Sequence, residues 1–393
     1  MPADPILILS ATRTPMGAFQ GALASVTAPQ LGAAAIRGAI AAAGIEPADV
    51  DEVIMGCVLP AGLGQAPARQ AALGAGLPAS VPATTLNKMC GSAMRAVMSG
   101  ADQVAAGSAA IVVAGGLESM TNAPYLLPKA RAGYRMGNQE VLDHMFHDGL
   151  QSAWDGKLMG VFAEATAAKY GFGRAEQDAF ASESVRRAQA AVRAGTFAAE
   201  ISPVSVRSRK GDSTITEDET PHTLDLAKIP TLKPAFKPDG SVTAASSSGI
   251  ADGAAALVLA CATAAAARSL TPLARIVGHA SFAREPEWFT LAPIGAIAKL
   301  LARTGWRAGD VDLYEINEAF AVVTMAAIRD LELDPAKVNV NGGACALGHP
   351  IGATGARILA TLLHALRARG KRRGIASLCI GGGEATAIAV ELV

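Results

Sequence analysis

Ala48-Asp49-Val50-Asp51 stands immediately before the apolar run Glu52–Met55, and Gly309-Asp310-Val311-Asp312 stands in the same way before Leu313–Ile316. A second pair follows at about the same offset: Gly91-Ser92-Ala93-Met94-Arg95 and Gly352-Ala353-Thr354-Gly355-Ala356-Arg357 each lead into a helix of small residues. A third pair, Gly115-Gly116-Leu117-Glu118 and Gly382-Gly383-Glu384, closes the strand after each helix. Three matches in one order predict an internally duplicated chain.

Outward from these segments, short apolar runs alternate with Ala-rich helical patterns. Ile6–Leu9, a helix near Gln30–Ala43, Glu52–Met55, a helix near Gly91–Ala106 and Ala110–Ala114 make the first series. Leu273–His279, a helix near Ala296–Thr304, Leu313–Ile316, a helix near Ala353–Arg369 and Ile375–Cys379 make the second. This is α/β order, read as one half at 1–120 and another at 271–393. Residues 121–250 are richer in Pro, Gly, Arg and Lys, carry one long polar helix from Arg174 to Ala194, and read as an inserted loop domain. The apolar strand near Ala255–Ala260 predicts that the chain returns over about 251–270 to complete the first half.

Composition narrows the chemistry. The 393 residues exceed one ordinary core, and Lys+Arg and Asp+Glu balance at 34 each, so nucleic acid and anionic membranes are not expected partners. Five scattered cysteines, at 57, 90, 261, 345 and 379, form no C-x-x-C pair, so neither a disulfide framework nor a metal site is read. The longest nearly apolar run, Ala254–Ala267, is too short to span a bilayer, and a soluble cytoplasmic protein is expected. Gly62-Leu63-Gly64-Gln65-Ala66-Pro67 lacks the third glycine of a dinucleotide loop, and phosphate-loop, zinc-protease and esterase motifs are absent.

Four segments carry reactive groups. Asn87-Lys88-Met89-Cys90-Gly91-Ser92-Ala93 places a cysteine where a strand meets a helix, and the helix N-terminus would favour its thiolate. A lone cysteine is otherwise a small buried apolar residue. Gly342-Gly343-Ala344-Cys345-Ala346-Leu347-Gly348-His349-Pro350 builds a constrained loop whose apolar setting would keep His349 neutral and able to accept a proton. Cys379-Ile380-Gly381-Gly382-Gly383-Glu384 ends a strand in glycines with open N–H groups, and Asn317-Glu318-Ala319-Phe320 follows Leu313–Ile316.

Together these segments resemble the thiolase family, through Cys90 in C-G-S, N-E-A-F at 317–320, G-H-P at 348–350 and C-x-G at 379–381. Ser10-Ala11-Thr12-Arg13-Thr14-Pro15 and Ala114–Met120 extend the resemblance over nearly the whole chain. It implies a thiolase fold: two α/β halves packed as a layered αβαβα core, with the insertion covering a coenzyme A site. It implies an acetyl-CoA C-acetyltransferase or 3-ketoacyl-CoA thiolase that acylates Cys90, with His349 as its base and Cys379 abstracting the α-proton of acetyl-CoA. His349 with a water held by Asn317 would form one oxyanion site, and the N–H groups of Cys90 and Gly381 the other. Ser248, Met159, Phe289 and Phe320 match substrate and CoA positions, Phe289 bordering the acyl group and favouring short chains. The basic run Arg207-Ser208-Arg209-Lys210 could approach the CoA 3′-phosphate, although a solvated hairpin is the plainer reading. CoA thioesters would be substrates, no cofactor would stay bound, and the assembly would be a homotetramer, a dimer of dimers. The rivals are a ketoacyl-synthase-like condensing enzyme, which has no need of Cys379, and a non-catalytic acyl-CoA-binding protein of the same fold. The chain departs from the family pattern at Leu158, Ser246, Ala251 and Trp288–Pro293, and its final motif, Gly383-Glu384-Ala385-Thr386, lacks the usual later glycine.

Overall fold

The computed structural model describes residues 4–207 and 211–393. In the first half β1 (Ile6–Arg13), α1 (Ala28–Ala43), β2 (Glu52–Gly56), α2 (Pro67–Gly74), β3 (Ala83–Leu86), α3 (Ser92–Ala106) and β4 (Ile111–Ser119) follow in order. Local chemistry sets the ends of α1: Gln30 reaches back to accept the Thr27 N–H at 2.9 Å, and Gly44 closes the helix at φ 68°. The insertion carries α4 (Met159–Tyr170) and α5 (Arg174–Arg193), after which β5 (Ala251–Cys261) re-enters. The second half is β6 (Ala274–Ala283), α6 (Ala292–Thr304), β7 (Leu313–Ile316), α7 (Ala321–Asp330), α8 (Thr354–Ala368), β8 (Arg373–Ile380) and β9 (Glu384–Leu392).

The strand order is β3-β2-β4-β5-β1 followed by β6-β9-β8-β7, with β2 parallel to its neighbours and β7 parallel to β8. β5 lies antiparallel between β1 and β4, although about 130 residues of chain separate it from β4. The two sheets touch edge to edge through Leu7↔Arg275 and Ile8↔Ala274. Beyond that seam they separate, and α3 and α8 fill the space between their faces with Met94, Val97, Leu359 and Leu363 in one apolar cluster. α1 and α2 cover the outer face of the first sheet and α6 that of the second, which completes five layers. The β3 of the first half is reduced in the second to a single parallel bridge, Tyr314↔Val338.

Glycines let the layers approach. A Cβ on Gly116 would lie 2.1 Å from the Gly352 carbonyl, and one on Gly355 would lie 2.4 Å from the Met94 nitrogen. The two central helices therefore cross at their N-termini with nothing larger than hydrogen between the backbones. The insertion is fastened by a buried clasp, in which Arg13 of β1 meets Glu200 at 2.6 Å and Asp218 at 2.6 and 2.8 Å. Thr361 of α8 donates to the same Glu200 at 2.9 Å. Among the described residues no helix is long and apolar enough to cross a membrane.

Candidate active site

Crossing α3 and α8 at their N-termini brings the chemistry of the two halves together. Cys90 sits one residue before the Gly91 cap of α3, and Met89 ahead of it adopts φ 48°, an uncommon left-handed conformation for a side chain of that size. The thiol is half-buried against an apolar cluster that includes Leu59, Met120 and Ile351. Cys379 is the penultimate residue of β8 and is fully buried in a cluster with Phe162, Phe289, Ala319 and Phe320. A cavity of about 190 Å³ runs between these clusters, walled by Met120, Leu150 and Ile351 on one side and Met159, Ala319 and Phe320 on the other. His349 and Ser248 open onto it.

The ring of His349 is held at both nitrogens. Nδ1 lies 2.6 Å from Thr354 Oγ1, and that hydroxyl donates its own hydrogen to the Pro350 carbonyl at 2.9 Å. The hydroxyl is therefore the acceptor, the hydrogen sits on Nδ1, and Nε2 keeps its lone pair. Asn317 donates Nδ2–H to that Nε2 at 3.5 Å, reaching the ring directly. Burial, with the Arg357 guanidinium of α8, holds the imidazole down at about 3, so it is neutral at physiological pH.

Cys90 departs from expectation. Burial pushes its thiol up to about 11, although N–H groups of Gly381 and of Cys90 itself work the other way. The helix start favours a thiolate as read from sequence, but removing the sulfur from water outweighs it. Cys379 is raised well above the ordinary thiol value by burial and by the neighbouring Cys90. Both sulfurs carry protons at rest, so reaction at Cys90 needs a nearby base.

Other residues hold this arrangement without having been legible as site residues. Glu318 of the N-E-A-F segment accepts from Ser184 Oγ at 2.7 Å, Asn339 Nδ2 at 2.8 Å and the Cys345 N–H at 3.1 Å, tying the histidine loop to α5. Ser248 N–H donates to the Ala319 carbonyl at 3.0 Å, and the Gly249 carbonyl accepts from His349 N–H at 2.9 Å. Phe289 does not line the cavity. It is 3% exposed and stands behind Phe320, with ring centroids 6.5 Å apart and near-perpendicular planes. Leu158 does line it, on an almost wholly apolar surface. Of the basic run, Ser208, Arg209 and Lys210 lie outside the described residues. Among the described residues no cluster of three His, Cys, Asp or Glu could hold a metal ion.

Residues 6–263 match the family model of the thiolase N-terminal domain, and residues 270–392 that of the C-terminal domain. The chain belongs to the thiolase family. This thiolase is 50% identical over 388 residues to an acetyl-CoA acetyltransferase of Chromobacterium violaceum, covering 98% of the chain and 99% of the relative. It is 51% identical over 387 residues to one of Escherichia coli, covering 98% of each. The crystal structure of a Bacillus anthracis acetyl-CoA acetyltransferase superposes with a TM-score of 0.97 at 41% identity, covering 100% of this chain and 99% of that one. An Ascaris suum thiolase in complex with coenzyme A gives 0.94 at 42%, covering 99% and 100%. The fold is the thiolase fold and the protein is an acyltransferase; the ketoacyl-synthase and non-catalytic readings are not favoured.

Proposed function

We propose that this thiolase condenses two molecules of acetyl-CoA to acetoacetyl-CoA and, in reverse, cleaves short 3-ketoacyl-CoA thioesters with CoA. The observation that carries the reading is one narrow apolar cavity with a neutral, lone-pair-bearing His349 on it and a thiol behind each wall. Cys90 attacks the thioester carbonyl while Nε2 of His349 takes the thiol proton. The carbon–sulfur bond to CoA breaks, and Cys379 gives its proton to the departing CoA thiolate. Acetyl-CoA then enters, and the Cys379 thiolate removes its α-proton. The enolate oxygen forms against Nε2–H of His349 with Asn317 beside it, while the N–H groups of Cys90 and Gly381 receive the charge at the acyl carbonyl. As the new carbon–carbon bond forms, the Cys90 sulfur leaves and takes a proton from Cys379. His349 returns its own proton to Cys379.

Ser248, Met159 and Phe320 are the residues for the pantetheine arm, with Phe289 acting on the acyl group through Phe320. The chemistry uses a nucleophile, a base and N–H donors, so CoA thioesters are substrates and no resident cofactor is required. The division into 1–120 completed by 251–270, an insertion at 121–250 and a second half at 271–393 is supported by β5 seated between β1 and β4. A cytoplasmic homotetramer, a dimer of dimers, is the assembly we propose, and exposed Tyr125, Leu127, Met136 and Val141 of the insertion favour self-association. The test supplies acetyl-CoA alone and measures acetoacetyl-CoA and free CoA. Product without malonyl-CoA is expected; a strict requirement for malonyl-CoA, or CoA binding without turnover, would overturn the reading.

A further inference from the structure

Glu118, the last residue of the third repeated motif, is fully buried where the two halves meet, and the reaction above does not use it. One oxygen, Oε2, accepts the Val58 N–H at 3.0 Å and the Gly352 N–H at 2.8 Å; the other, Oε1, accepts the Leu59 N–H at 3.2 Å and lies 3.7 Å from the Cys57 sulfur. Glu118 forms no ion pair among the described residues, so three backbone donors from two halves hold its charge. What they belong to gives the contact its meaning. Val58 and Leu59 pack in the apolar cluster around Cys90, and Gly352 lies three residues after His349 in the same turn as Ile351, which faces the cavity. A Cβ on Gly352 would fall 2.5 Å from Oε2, so the glycine is what lets the loop reach the carboxylate.

We propose that Glu118 is a positioning residue: by joining the Val58–Leu59 turn of one half to the Gly352 turn of the other, its carboxylate fixes where His349 stands relative to Cys90. This rests on the reading of Cys90 and His349 as nucleophile and base. The titratable groups facing it are Cys57 from the end of β2 and Cys90 from the start of α3, with His349 beyond Gly352. Burial pushes the Glu118 carboxyl up to about 7, against the pull of its three N–H partners. Protonation converts an acceptor oxygen into a donor and weakens the grip on one turn. Activity is therefore expected to fall as pH drops through about 7, on a limb that belongs to Glu118 and not to His349.

The test compares the full-length enzyme with Glu118→Gln and Glu118→Asp. Acetylation of Cys90 by acetyl-CoA and steady-state acetoacetyl-CoA thiolysis are measured from pH 6 to 9, with thermal unfolding alongside. Glu118→Gln should lower kcat roughly 10- to 100-fold with KM within about threefold, the scale of a misplaced catalytic group, and should flatten the acid limb. Glu118→Asp, which keeps the charge, should recover part of kcat and the limb. A folded Glu118→Gln enzyme with unchanged kcat and pH profile would overturn the proposal, as would a lowered melting temperature as its sole effect. Should the glutamine variant not fold, isotope-edited infrared titration of the wild-type carboxyl decides: a midpoint near 7 coincident with the activity limb supports it, and a midpoint displaced from the limb refutes it. If wild-type Cys90 takes no acetyl group the underlying reading fails, whereas equal acetylation of wild type and Glu118→Gln defeats this inference alone.

Discussion

The two halves share a scaffold and differ in what it carries. α3 and α8 are equivalent central helices whose N-termini meet at Met94 and Gly355, yet one is preceded by the Cys90 thiol and the other by the His349 imidazole, which Thr354 holds at Nδ1. The surroundings differ as well: Cys90 lies against methionines and aliphatic side chains, and Cys379 against a cluster of phenylalanines. A shared place at a helix start does not give equal chemistry: burial raises the Cys90 thiol and lowers the His349 imidazole.

The largest loss is expected at His349. His349→Asn should reduce acetylation of Cys90 by about 10²–10⁴-fold, the usual worth of a positioned proton acceptor. Rapid-quench trapping of acetyl-enzyme checks this, and a loss under tenfold would mean that Cys90 ionises unaided. Across pH 5–9 the His349 ring stays neutral in the wild type, so no activity limb in that window should titrate with its imidazole. Chemical-shift titration of the labelled ring measures this directly.

A smaller effect is expected at the hydroxyl behind it. Thr354→Val keeps the shape but removes the acceptor for Nδ1–H, so the proton is free to move to Nε2 and the ring can no longer take one there. We expect kcat to fall about tenfold or more with KM little changed, and a serine at 354 to restore it. Unchanged kcat in the valine enzyme would show that the tautomer is fixed by other contacts.

The smallest effect concerns the aromatic wall. Phe289→Ala removes a ring packed edge-on against both Phe162 and Phe320, and should cost roughly 3–5 kcal/mol in stability. Since the ring stands behind Phe320, the relative kcat/KM for six-carbon over four-carbon ketoacyl-CoA should rise by only a few-fold, below the roughly tenfold typical of a few methylenes in direct contact. A chain-length profile that stays fixed would detach Phe289 from acyl selection, and a large gain would return it to the cavity wall.

Much of this architecture is legible in the chain. Leu313–Ile316 is a strand with the bounds read, and α5 ends within one residue of expectation. β4 extends five residues past the apolar run because Gly115 and Gly116, which interrupt the hydrophobic signal, are needed for close backbone approach. α4 gives no clear sequence signal because it is buried on several faces, from Phe162 to Thr166, and shows no single apolar stripe. At the site Cys90, His349 and Cys379 stand out by glycine-rich context, whereas Thr354, Glu118 and Glu318 join it through contacts that only the fold creates. For Glu118 a signal was present, its place in a repeated motif. The Cys90 thiol differs from the sequence expectation because a helix start can be read from sequence and burial cannot.

If the two thiols divide the reaction, Cys379→Ser and Cys90→Ser should fail at different steps. Both are incubated with labelled acetyl-CoA, and protein-bound acetyl groups and acetoacetyl-CoA are quantified together. We predict that Cys379→Ser acquires label on the Cys90 peptide while forming no acetoacetyl-CoA, and that Cys90→Ser acquires none and forms none. Label on any other residue, or equal loss of labelling in the two variants, would contradict it.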